Sequence, residues 1–394
     1  MNCTCEYCRR VDYDNSEFFV DRSFLVRERP VGVTGLLRVK NDAEFLALCI
    51  DSCIDALDEL VIVYQACDDD SPGIIEQKRR QYPDKIRSFF YRPVVLSHHL
   101  TEEQFRYASS LPDTSIHLLS NYYNYTLSKA SYRYAIKIDA DQIYFTDKLR
   151  AYCDAFRSPS GERITVGERW AAAWIHGFAD LTNVCPRILS RRWRFLVPSS
   201  GLVEKYRRYT LKKAAVAKYP VSFSGINLYE KSGEWALPLG NYAEGMFLPF
   251  NGIHDTYIFE ISPQTYYVPQ PLRSDHTKYG NCLIETFNMN GALMRMKYLF
   301  SHKLLYGGFL WYHTAPLKEP DFTRKRALYE NRTFPLFGGH TGFLDLERRL
   351  PVPMRRWMRA WYCLFWRQEQ GSLPTGCLTE IKRILHTRSN DEKQ

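Results

Sequence analysis

Nowhere do the 394 residues contain a run of about 18 uncharged apolar side chains, so a conventional membrane-spanning helix is not expected. The opening residues Met1-Asn2-Cys3-Thr4-Cys5-Glu6-Tyr7-Cys8-Arg9-Arg10 lack the apolar core of a secretory leader. The expected setting is therefore the cytoplasm. Eleven cysteines, an odd number without framework spacing, argue against a disulfide scaffold and for thiols in a reducing compartment. Internal repeats, low-complexity tracts and a long Gly/Ser linker are also missing. With 45% hydrophobic residues, the chain can bury a sizeable core, which excludes global disorder.

What is present begins with charge. The formal balance of +9 and the 15% aromatic content raise a basic nucleic-acid-binding protein as one reading. No known nucleic-acid motif accompanies them, and acidic strand ends would repel phosphate unless a metal intervened. Between Arg187 and Lys218, nine basic residues from Arg191 to Lys218 face the single acid Glu204. Near the C-terminus, Arg355, Arg356, Arg359 and Arg367 alternate with Trp357, Trp361 and Trp366. Such a segment suits peripheral contact with an anionic membrane, or else a packed terminal helix with a basic face. Cys3, Cys5 and Cys8 are close enough in sequence to share a soft metal. No fourth Cys or His lies nearby, and a structural zinc site needs four ligands.

Alternation of short apolar runs with helical periodicity sets the organisation. Residues 1–30 read as an irregular lead-in, and Val33 to Val39 as a first strand. A helix should follow, capped by Asn41 or Asp42, with Phe45, Leu46, Cys49, Ile50 and Cys53 on its buried face. Leu60 to Tyr64 is a second strand ending in the turn Asp68-Asp69-Asp70-Ser71-Pro72-Gly73. A helix from about Ile74 to Tyr82, a strand at Ile86 to Tyr91 and a helix from Leu118 to Ser131 continue the pattern. Strands alternating with helices imply an α/β fold with a parallel sheet, whose ligands gather outside the carboxyl ends of the strands. After about residue 150 the alternation weakens. The expected division is a donor-side half over 31–150, a less regular acceptor side over 151–345 within the same unit, and a basic aromatic extension over 346–394.

The strongest chemical signal is Tyr134-Ala135-Ile136-Lys137-Ile138-Asp139-Ala140-Asp141, an apolar strand that stops on two carboxylates. Residues i and i+2 of an extended chain face the same side, so Asp139 and Asp141 can converge at a strand end. Carboxylates there suit Mg²⁺ or Mn²⁺, which bind a few protein oxygens together with water and substrate phosphate. Asp12-Tyr13-Asp14 has the same spacing but no strand before it, and Asp68 to Asp70 reads first as a solvated turn.

With these residues in view, the chain resembles nucleotide-sugar glycosyltransferases of the GT-A fold, most like the bacterial family 2 type that builds surface polysaccharide and lipopolysaccharide. Arg38-Val39-Lys40-Asn41-Asp42-Ala43-Glu44 is similar to the family's first-strand opening. Ile62 to Pro72 is similar to its nucleoside turn, and the helix carrying Asn121 and Asn124 resembles the one before its paired carboxylates. The resemblance covers residues 36–145. It implies a Rossmann-like mixed sheet flanked by helices, an irregular acceptor side and a C-terminal helical extension. It also implies a UDP-sugar donor, a glycan or lipid-linked acceptor, Mn²⁺ or Mg²⁺, and inversion at the transferred carbon.

Site roles follow from that resemblance. Asp141 is expected to touch the metal, with Asp139 on the ribose or a metal-bound water, and Asp69 on the nucleoside, with Arg38, Asn41, Asn124 and Lys137 around the donor. Asn251-Gly252-Ile253-His254-Asp255 sits where the family carries its acidic catalytic motif, although His254 replaces the usual Glu of a Glu-Asp pair. Asp255 is the expected base, with Glu244 and Glu285 in reserve. His313 is the expected third metal ligand, in competition with His276, and Arg273 or Lys278 would meet phosphate. A nucleotidyl- or phosphotransferase using the same metal-diphosphate chemistry is the nearest enzyme alternative.

Overall fold

In the computed structural model of the chain, residues 5–9, 12–158, 162–185, 191–240, 245–273, 280–289, 292–293, 305–318, 326–337, 342–350 and 356–391 are described. In chain order the elements are β1 (Val33–Val39), α1 (Ala43–Cys53), β2 (Glu59–Tyr64), α2 (Ser71–Gln81), β3 (Ile86–Phe90), α3 (Glu102–Ser110), α4 (Leu119–Ser128) and β4 (Tyr134–Asp139). They continue with β5 (Gln142–Tyr144), α5 (Thr146–Arg157), α6 (Val166–Val184), α7 (Ser200–Ala217), β6 (Val221–Asn227), β7 (Tyr229–Lys231), β8 (Glu234–Pro238), β9 (Phe250–Glu260), β10 (Tyr266–Leu272) and β11 (Cys282–Met289). The last are β12 (Ala292–Leu293), β13 (Leu305–His313), β14 (Thr333–Pro335), α8 (Phe343–Arg349), α9 (Arg356–Glu369) and α10 (Gly376–Asp391).

Two units share the chain. The first comprises Met1–Ala43, Leu57–Ala140 and Phe259–Tyr298; the second comprises Glu44–Ala56, Asp141–Ile258 and Leu299–Gln394. This interleaving differs from the sequential halves expected from the alternation pattern.

In the first unit, four parallel strands lie in the order β3-β2-β1-β4. Both faces are covered, so the strands read as near-continuous apolar runs, and Leu36, Leu37, Val61, Ile62, Ile136 and Ile138 are buried. The chain leaves β1 for β2 on one side and returns as β4 on the other, which makes the carboxyl ends of β1 and β4 a topological switch point. Register places Arg38 opposite Asp139 there. Strands β10, β11 and β12 form a separate antiparallel sheet.

At the start of α1 the Ala43 N–H donates to Asp69 Oδ2 at 2.8 Å, while Asp42 Oδ2 accepts from Lys40 N–H. Asn41, in the left-handed region at φ 57°, exchanges two hydrogen bonds with Asp68, through its amide oxygen to the Asp68 N–H and its amide nitrogen to the carboxylate. An asparagine tolerates that conformation better than most residues.

In the second unit β13 runs parallel to β6, and β9 and β5 are antiparallel to their neighbours in the order β9-β6-β13-β5. Gly252, at φ 83°, lies against Trp311, whose Cζ2 would be 2.5 Å from an added Cβ. The backbone just before Asp255 therefore depends on glycine.

The C-terminal extension is no appendage. Trp361 and Trp366 are 2% and 0% exposed, packed on Tyr206 and Tyr306 and on Phe250 respectively. Arg359 pairs with Glu347 at 3.0 Å, and Arg367 donates to the Pro198 carbonyl. The membrane-contact expectation fails at these positions because the rings belong to the core; the side chains of Arg355, Arg356 and Trp357 lie outside the described residues. No helix among the described residues is long and apolar enough to cross a membrane. Members of the other basic cluster are also engaged internally: Lys212 pairs with Glu168 at 2.9 Å, Arg207 with Glu204 at 3.2 Å, and Lys218 donates to Ala155 O.

Candidate active site

Asp139 ends β4 between two cations of the first unit. Arg38 Nη2 lies 2.9 Å from its Oδ1 and Lys137 Nζ 3.2 Å from its Oδ2. The Arg38 guanidinium also stacks on Tyr123, 3.7 Å from the ring centroid. Burial alone would lower the Arg38 pKa, but Tyr123, Asp139, Tyr267 and Glu285 outweigh it and raise it. Arg38 is therefore a permanent charge at the switch point. Burial raises the Tyr123 hydroxyl far above its ordinary value, so it is a neutral phenol. Glu285, on β11, acts electrostatically on this cluster.

Asp141 opens the segment of the second unit that follows β4. Its backbone carbonyl accepts from Thr314 N–H at 2.8 Å and from Thr314 Oγ1 at 3.0 Å, which fixes the main chain. Its Oδ2 faces His313 Nε2 at 3.4 Å and Lys318 Nζ at 3.6 Å. Burial would raise the Asp141 carboxyl, yet Lys318 and His313 hold it well below the ordinary carboxylate range. His313 Nδ1 lies 2.5 Å from Asn227 Oδ1, and the Asn227 amide nitrogen donates to Leu248 O at 2.6 Å. That second bond orients the amide so that its oxygen accepts from Nδ1–H. Nε2 is then directed at the carboxylate, the usual support for a metal-binding imidazole. Asp141 and His313 fit a divalent cation by donor type and convergence.

Several residues expected at the donor make hydrogen bonds within the protein. Both oxygens of the Asp69 carboxylate accept backbone N–H groups, from Ala43 and from Ser71, so it acts as a cap. Asn124 exchanges two hydrogen bonds with the Tyr267 backbone, each 2.8 Å, and so clamps β10. Asn41 is bound to Asp68 as described. Arg273 pairs with Glu102 at 3.4 Å on the surface. Glu244, His276 and Lys278, and the side chain of Asp255, lie outside the described residues. Sequence reasoning missed Asn227 and Lys318. Asn227 ends β6 with no motif around it, and only its distant partner His313 gives it meaning.

The mixed sheet and its switch point make this an α/β fold. More particularly, residues 16–160 match the CgtA family, described as beta-1,4-N-acetylgalactosaminyltransferase, over well under half of the chain. Among solved structures it is similar to glucosyl-3-phosphoglycerate synthase from Mycobacterium tuberculosis, in complex with Mn²⁺, UDP and glucosyl-3-phosphoglycerate. Identity is 18% and the TM-score 0.18, over 29% of this chain and 34% of that one, so the chain spans about a third of the synthase's length. It is also similar to S. aureus TarS 1–349, at 12% identity and a TM-score of 0.28, over 76% of this chain and 64% of that one. No curated protein matches the chain.

Proposed function

We propose that the protein transfers a sugar from a UDP-sugar to a hydroxyl of a glycan or lipid-linked acceptor, with Mn²⁺ or Mg²⁺ held by Asp141 and His313. The observation that carries this reading is the 3.4 Å approach of His313 Nε2 to Asp141, with Asn227 behind the ring. The CgtA match makes UDP-N-acetylgalactosamine the first donor to test. A bound cation supplies Lewis-acid stabilisation of the charge that develops on a departing diphosphate. Lys318 adds a fixed positive charge beside Asp141. Asp139, immobilised by Arg38 and Lys137, is assigned to the ribose. Asp255 is assigned as base: its carboxylate takes the acceptor hydroxyl proton as that oxygen attacks the anomeric carbon opposite the leaving group, giving inversion. Glu285 and Glu244 remain the reserves for that role, and a cytoplasmic site of action belongs to the same proposal.

The test is a panel of nucleotide sugars incubated with Mn²⁺ or Mg²⁺ and scored for donor hydrolysis and transfer. Asp141→Asn should lower turnover by about 100-fold or more while leaving the circular dichroism spectrum unchanged. Asp255→Asn should lower kcat with little change in donor affinity, because a base acts in the transition state. Full activity in excess EDTA, or undiminished turnover by Asp141→Asn, would overturn the metal assignment. Release of free nucleotide together with sugar phosphate would point to a phosphotransferase instead.

A further inference from the structure

The N-terminal cysteines have a partner that spacing did not reveal. Cys5 Sγ and Cys8 Sγ lie 3.0 and 3.2 Å from the same atom, His117 Nε2, across more than a hundred residues of chain. All three ligand atoms fall within 4.8 Å of one another. His117 is 1% exposed and Cys8 6%. Its other ring nitrogen, Nδ1, sits 2.7 Å from the Val94 carbonyl, to which it donates. Nε2 therefore carries a lone pair and no proton, and two sulphurs share it.

A single lone pair properly accepts one S–H. Two soft donors and an imidazole nitrogen converging on one point, with the far side of the ring anchored to a carbonyl, is the arrangement of a closed metal site. The Cys5 to Cys8 segment is already turned for it: the N–H groups of Cys8 and Arg9 both donate to Cys5 O at 3.0 Å. Tyr7 covers the ring at 5.5 Å and packs against Tyr107 at 5.7 Å, shielding the cluster from water. Zn²⁺ bound at ordinary lengths requires S to N edges of about 3.5 Å, a widening of a few tenths of an ångström.

We propose that Cys5, Cys8 and His117 bind a structural Zn²⁺ as three of its ligands. Binding releases one proton from each thiol and none from the imidazole, so zinc affinity falls as the pH is lowered. The ion ties the lead-in to the connection between α3 and α4, the second of which carries Tyr123 and Asn124. It is separate from the proposed divalent site at Asp141 in donor chemistry: soft sulphur here, hard oxygen there.

The test uses full-length protein purified without chelator. About one zinc per chain is expected by elemental analysis, and Co²⁺ exchange should give a thiolate charge-transfer band with the intense visible bands of a tetrahedral centre. The double variant Cys5→Ser/Cys8→Ser should lose both metal and spectrum. His117→Ala should lose the metal while His117→Cys, which restores a soft donor, retains it; this pair separates ligation from packing. Failure of wild-type protein to take up zinc even after incubation with it, or undiminished zinc in the double variant, overturns the site. Zinc uptake is read without any donor sugar, so its failure is distinguishable from failure of the glycosyltransferase reading.

Discussion

Asn227 touches no reactant in the proposed chemistry, yet it decides which nitrogen of His313 faces Asp141. Asn227→Ala should weaken Mn²⁺ activation by about 10-fold to 100-fold, with a smaller effect on turnover at saturating metal, as titration of activity against Mn²⁺ would show. Asn124→Ala should behave differently. Losing both partners of the buried Tyr267 backbone costs about 2 kcal/mol of stability, measured by urea unfolding, and leaves the metal requirement unchanged. Asp139 ends β4 as its apolar run suggested, whereas Asp141 lies in the turn before β5, where strand periodicity does not apply. The hold of Asn124 on the Tyr267 backbone was not legible, because an asparagine on a helix carries no sign of which distant backbone it will meet. His117 escaped for the same reason: its sulphur partners are far away in sequence, and only the fold joins them.

Elements were legible where both faces of a strand are covered. β1, β2 and β4 are apolar runs bounded by turn residues; the limits of β1 and β2 agree with the sequence pattern to within a residue, and β4 stops at Asp139, two residues before Asp141. Beyond residue 150 the strands are antiparallel or mixed, and β6 shifts register against both β13 and β9. Such irregularities erase period-two patterning. Helix α6 is set locally by a capping box: Thr165 Oγ1 accepts from Glu168 N–H at 3.2 Å and Glu168 accepts from Thr165 N–H at 2.8 Å. Thr165→Ala should cost about 1 kcal/mol in thermal or urea unfolding. Burial would raise the Glu168 carboxyl, but the Thr165 N–H and Lys212 outweigh it and lower its pKa. A folded-state pKa below the unfolded one means that the unfolded chain binds the extra proton. This contribution is therefore present above the ordinary glutamate value of about 4.3 and is lost as the pH falls below it. Glu168→Gln should flatten the acid limb of the stability profile.

For the whole molecule, α9 matters most. Its tryptophans looked suited to a bilayer surface because composition alone cannot tell an interfacial ring from a core ring. Trp366→Ala should cost about 4 kcal/mol, visible as a lower unfolding midpoint. Recovery of the protein with anionic vesicles should not depend on Trp366. The buried bridge of Lys148 and Glu369, 2.8 Å long, joins α5 to the end of the same helix. Glu369→Ala would leave that ammonium buried without its carboxylate and should cost about 3 to 5 kcal/mol.

The interleaved course of the chain also governs how the protein is made. A ribosome delivers β1 to β4 early, but the first unit also needs the segment Phe259–Tyr298, and the second holds Glu44–Ala56 from near the beginning until Leu299–Gln394 emerges. The α1 helix meets its first partners of that unit when residues 144–146 emerge, because Tyr144 N–H and Thr146 Oγ1 donate to Ser52. Neither unit can be released intact by a single cut, and nascent chains stalled near residue 250 should be open to protease and hold chaperones.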